Sequence, residues 1–72
     1  MKLYLLTRLN GIRYDEFDAM LIRAKSELEA RIIANTDVGD EGQIWKRTEL
    51  VCCKEILAEG KSERIITSFN AG

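Results

Sequence analysis

The sequence predicts an α+β two-layer domain spanning residues 1–72, in which a four-stranded antiparallel sheet carries one helix on one face. Three observations lead there. Two stretches near the start alternate apolar and polar with a period of two, one short stretch has helical periodicity and a capping signal, and two β-rich stretches follow a glycine-containing loop. The order is ββαββ, and two hairpins joined by a helix make an antiparallel sheet covered on one side.

Residues 2–9, KLYLLTRL, read as the first strand, with Leu3, Leu5 and Leu9 on one face and Tyr4 and Leu6 on the other. Asn10-Gly11 opens a polar connection through Arg13, Tyr14, Asp15 and Glu16, which suits a long hairpin loop better than a two-residue turn. Residues 17–24, FDAMLIRA, are the second strand, with Met20, Ile22 and Ala24 sharing a face. Residues 26–35, SELEARIIAN, are the helix. Ser26 and Glu29 have capping-box spacing, the serine oxygen accepting from an orphan backbone N–H while the glutamate reaches back. Periodicity is lost at Asn35-Thr36-Asp37, and Gly39 and Gly42 bracket a loop. Residues 49–57, ELVCCKEIL, are the third strand. Residues 58–63, with Gly60, form a turn, and residues 64–69, RIITSF, are the fourth strand.

The helix has apolar residues on opposite sides. Ala30, Ile33 and Ala34 fall on one arc at 100° per residue, and Leu28 and Ile32 fall nearly opposite. Two rotations follow. In one, the larger Leu28 and Ile32 face the sheet and gain roughly 1.5–3 kcal/mol each from burial. In the other, the small arc packs inward, and Leu28 and Ile32 become an apolar anchor for another chain, with Glu27, Glu29 and Arg31 as its polar rim. Leu28, Glu29, Arg31 and Ile32 are the candidate partner-binding residues under that second rotation.

Composition narrows the classes of function. The 72-residue chain has eleven basic and twelve acidic residues, a formal charge of −1, and the signs are interleaved. It lacks the basic excess of most DNA-binding domains. Below about 70–80 residues a single core rarely supplies more than ~3–5 kcal/mol, which raises the expectation of a homodimer. There is no histidine, so the commonest general base and metal ligand is missing, and no spacing pairs a nucleophile with a carboxylate or lysine base. No enzyme, cofactor or metal site is expected. Asp37, Asp40 and Glu41 with Gly39 and Gly42 fail the spacing of a calcium loop. Asp15, Glu16 and Asp18 read as a solvated turn, or else as an acidic contact for a basic groove. The adjacent Cys52 and Cys53 point to opposite faces of a strand and cannot jointly bind a metal or easily bridge. Apolar runs fall far short of the roughly 20 residues of a membrane span, and the start has no signal-peptide pattern, so a reducing cytoplasm, with both thiols free, is the expected setting. Trp45 reads first as a core or rim residue; the alternative makes Trp45, Lys46 and Arg47 the candidate nucleic-acid contact, a ring for base stacking beside two cations.

The opening MKLYLLT, the tract AKSELEARIIA behind YDEFDA, and the closing ITSFNAG together resemble a group of small phage and prophage proteins. In that group the positions equivalent to Leu28 and Ile32 are commonly polar, which favours the inward Ala30/Ile33/Ala34 arc. In size and layout the chain also looks like anti-CRISPR proteins, which generally act by occupying a surface of a host nuclease complex. The resemblance implies a non-enzymatic accessory protein that binds a host or phage protein; the alternative is a nucleic-acid module using the sheet face and Trp45, Lys46 and Arg47.

Overall fold

A computed structural model describes residues 1–67 of the chain. Strand β1 (Lys2–Arg8) turns back into β2 (Ala19–Ala24), helix α1 (Glu27–Ala34) follows, and a long irregular segment leads into β3 (Val51–Ile56). The sheet has three strands in the order β2-β1-β3, both pairs antiparallel. Tyr4 lies opposite Ile22 in β2 and Glu55 in β3. The α+β class is as expected; the four-stranded sheet is not. Residues 64–67 of the expected fourth strand are exposed and outside any strand, and residues 68 and 69 lie beyond the described residues.

Two local causes account for the missing pairing. Arg8 N–H donates to Asp18 O (3.0 Å) and Leu9 N–H to Leu50 O (2.8 Å). Antiparallel pairs alternate, so Val51 in β3 turns its N–H and C=O away from β1, toward where a fourth strand would sit. Both groups are already occupied there: Val51 N–H donates to Arg47 O (3.0 Å), and Val51 O accepts from Arg31 Nη2 (3.1 Å). The sequence adds a second cause. Ile65 and Ile66 are neighbours and would put apolar side chains on both faces of such a strand.

The period-two reading of β1 and β2 holds. Tyr4, Leu6 and Ala24 are buried under the helix with Met20 and Ile22 packed alongside, while Leu3, Leu5 and Leu21 take the uncovered face. Helix α1 starts on Ser26, whose Oγ accepts from Glu29 N–H (3.2 Å). The Glu29 carboxylate reaches back one residue further than the usual box, accepting from Lys25 N–H (3.0 Å). At the other end Asn35 joins the helix to the following loop, its Oδ1 accepting from Trp45 N–H (3.1 Å) and its carbonyl from Gln43 Nε2 (3.3 Å).

Trp45, Leu6 and Val51 are the largest fully buried side chains. Trp45 comes from the irregular segment, which thereby supplies the mass that the alanine face of the helix lacks. Gly39 lets this segment approach the β1–β2 loop: Asp40 N–H donates to Asp15 O (2.7 Å), and a Cβ at position 39 would collide with that same carbonyl oxygen.

Candidate functional site

Helix α1 is rotated so that Ala30 and Ala34 face the sheet, both essentially fully buried. Leu28 is 60% exposed, Ile32 47% and Ile33 40%. Ile33 was expected on the inward arc and instead stands with the outer residues. Its place is taken by Arg31, which corrects the reading of Arg31 as an exposed rim residue. Arg31 is buried, with Nη1 donating to Trp45 O (2.9 Å), Nη2 to Val51 O (3.1 Å) and Nε to the Glu27 carboxylate (3.0 Å). Its guanidinium thus ties together the helix, the Trp45 segment and the outer edge of β3. A planar fork can satisfy two backbone acceptors at once, and its aliphatic stem lines the core. Glu29 is half-buried and engaged in the helix cap. Of the four candidate contacts, Leu28 and Ile32 are in the open, Glu29 is partly occupied, and Arg31 faces inward.

Trp45 is a core residue, as its first reading had it, and the alternative platform of Trp45, Lys46 and Arg47 does not form. Trp45 has no exposed surface, and its Nε1 donates to Glu41 Oε2 (3.0 Å), so no ring face is presented for a base to stack on. Arg47 is exposed and pairs with Glu49 (2.6 Å), and Lys46 is exposed beside them. The side chain was buried because the helix leaves space above β1 and β3 that only a large residue fills.

The β1–β2 loop and the 38–44 segment enclose an open cleft of about 550 Å³, lined chiefly by Arg8, Arg13, Glu16, Asp40, Glu41 and Ile44. Arg8, Glu16 and Glu41 are committed to holding its walls, while Arg13 and Asp40 are exposed and contribute only backbone N–H groups. Arg8 is buried at the end of β1 and donates to Asn10 Oδ1 (2.8 Å), Phe17 O (3.0 Å), Gly11 O (3.1 Å) and Glu16 Oε1 (3.3 Å). Glu16, expected in a solvated turn, accepts from both Arg8 and Arg13 N–H (2.9 Å). Glu41 accepts from Phe17 N–H (3.2 Å) and from Trp45. Burial raises the Glu41 carboxyl, but hydrogen bonds from its own backbone, Trp45, Gly39 and Phe17 outweigh burial and hold it below its ordinary value. This arrangement clamps two loops together.

Arg8 is the residue that the sequence reading did not single out, and Arg31 the one it placed on the wrong side of the helix. One signal was available, since Glu27 and Arg31 have the i, i+4 spacing of a helix ion pair. Cys52 is exposed on the uncovered sheet face and Cys53 half-buried on the helix side, both as free thiols. Burial and the nearby Glu27 charge push the Cys53 thiol up, although Arg31 pulls the other way. Among the described residues no group of three or more potential ligands could hold a metal ion, and no helix is long and apolar enough to cross a membrane.

These features define a small α+β protein with a three-stranded sheet among the described residues, two buried arginines that tie loops to the sheet, and exposed apolar side chains on the outer helix face. Comparison with known proteins finds no matching family, no matching curated protein and no matching solved structure.

Proposed function

We propose that the chain is a non-enzymatic binding protein whose outer face of α1 docks on a protein partner. The observation that carries this is the exposed pair Leu28 and Ile32, one turn apart on the outer face of α1, with the exposed Ile33 further round the helix beyond Glu29. Desolvating Leu28 and Ile32 in a partner groove would supply roughly 1.5–3 kcal/mol each, the scale of an interface anchor. The finer form of this reading is a phage-encoded protein that inhibits a host defence complex; it rests on the resemblance of the MKLYLLT, AKSELEARIIA and ITSFNAG segments alone.

The test compares the tagged wild type with a Leu28→Glu, Ile32→Lys double variant in lysate of the natural host. A partner captured by the wild type and lost by the variant, with the circular dichroism spectrum unchanged, supports the reading. Equal capture by both proteins refutes the helix face as the contact.

A further inference from the structure

The two outer strands of the sheet present very different edges. On β3 the Val51 N–H and C=O are held by Arg47 and Arg31, and Lys54 and Glu55 place charge along the strand. Charge and side-chain cover of this kind are how proteins blunt an edge against further pairing. Strand β2 has a single charge, Arg23, and no such side-chain cover among the described residues. It runs AMLIRA, with no proline and one charge, and its Leu21 is 60% exposed. Because Arg8 and Asp18 form a hydrogen-bonded pair in register with Leu6–Met20 and Tyr4–Ile22, the alternation turns the N–H and C=O of Ala19, Leu21 and Arg23 away from β1. Among the described residues no hydrogen bond reaches these six groups.

We infer that the β2 edge pairs with the β2 edge of a second copy, antiparallel about a two-fold axis at Leu21, to join two sheets into one of six strands. The strand is complementary to itself in this register. Leu21 meets Leu21, Met20 meets Ile22, and the only charge, Arg23, meets Ala19, so no like charges oppose each other. All three outward-facing residues become hydrogen-bonded pairs. The β3 edge does not offer the same match: a two-fold at Lys54 sets that cation against its own copy, and one at Cys53 requires Val51 groups already in use. A two-fold perpendicular to the sheet keeps both α1 helices on one side and leaves the uncovered faces continuous. Its hydrogen bonds are backbone ones at the sheet edge, so it does not rest on the docking of a protein on Leu28 and Ile32.

Sedimentation velocity and light scattering of the full chain across a hundredfold concentration range, about 1 to 100 μM, test the inference alongside amide hydrogen exchange. The expected result is a dimer whose Ala19, Leu21 and Arg23 amides gain protection as concentration rises. Leu21→Lys sets two cations against each other on the axis and should raise the dimer dissociation constant at least tenfold. Leu21→Pro removes an outward N–H that β1 does not use, and should also give a monomer. Both variants should keep the buried-tryptophan fluorescence of Trp45. A wild type that stays monomeric throughout overturns the inference. So does a dimer that persists in a folded Leu21→Lys variant, one that protects Cys53 and Glu55 instead, or one lost only in the Leu28→Glu, Ile32→Lys double variant.

Discussion

Replacing Arg31 by methionine tests the central packing argument most directly. Methionine keeps an unbranched apolar stem of similar length, so the alanine face of α1 still meets the sheet. What disappears is the fork that satisfies Trp45 O and Val51 O. Each carbonyl left buried without a donor costs about 1–3 kcal/mol, giving a loss of ~2–6 kcal/mol for the pair. The Glu27 carboxylate is half in solvent and returns to water at little cost. A core of this size supplies on the order of 3–5 kcal/mol, so the variant should be largely unfolded or close to it. Arg31→Lys keeps the charge and reaches one acceptor at a time, which sets its loss nearer ~1–2 kcal/mol. Urea unfolding read by the single tryptophan, at one fixed protein concentration, measures both. With a slope of about 1 kcal/mol per molar urea for a small domain, the lysine variant should shift its midpoint by about 1–2 M. A methionine variant within about 0.5 kcal/mol of wild type would refute the reasoning. Removing a buried guanidinium would then have offset the loss of two hydrogen bonds, as happens when buried ion pairs are replaced by well-packed apolar groups.

Two further predictions concern single groups. Glu41 has a depressed pKa in the folded chain, so its contribution is present above the ordinary value of 4.5 and is lost as pH falls through the lower folded value. Glu41→Gln should therefore be less stable than wild type at pH 7 by about 1–2 kcal/mol, since an amide cannot accept on both sides from Phe17 N–H and Trp45 Nε1. The gap between the two proteins should narrow in acid, read as urea midpoints at neutral pH and below pH 4. The thiols should separate by rate: maleimide should label exposed Cys52 well before Cys53, whose thiolate is disfavoured by burial and by Glu27, as peptide mapping of a time course would show. Equal rates would place Cys53 in the open.

The parts of this fold that follow local rules were legible in the chain. Period-two alternation grouped the face-sharing residues of β1 and β2 correctly, without saying which face is inner, and Ser26 with Glu29 marked the start of the helix to the residue. What was not legible depends on partners distant in sequence. Glu49 to Leu57 and 64–69 have similar β content, yet among the described residues only the first contributes a strand, because whether a strand is added is decided at the edge it must join. Arg31 and Val51 close that edge from 20 residues apart. Trp45 was legible as a core or rim residue, but Lys46 and Arg47 beside it kept a surface contact open because neighbouring cations suggest solvent. Its burial follows from the small Ala30 and Ala34 side chains, a gap that appears only once helix and sheet are brought together.

The inward turn of Arg31 also explains the two-sided helix. An eight-residue helix that spends its sheet-facing arc on two alanines and an arginine buries little apolar surface. Its large apolar side chains, Leu28, Ile32 and Ile33, are then displaced to the outside. The same imbalance holds across the described residues, where seven apolar side chains are buried while twelve large ones stand exposed. Scattered apolar residues on a surface need no explanation, but those on α1 and along β2 are contiguous with an unpartnered helix face and an unpaired strand edge. A small core stabilised by buried arginine forks can hold such surfaces in place without consuming them. That is the physical requirement of a protein that works by contact: its apolar residues must stay available until a partner or a second copy covers them.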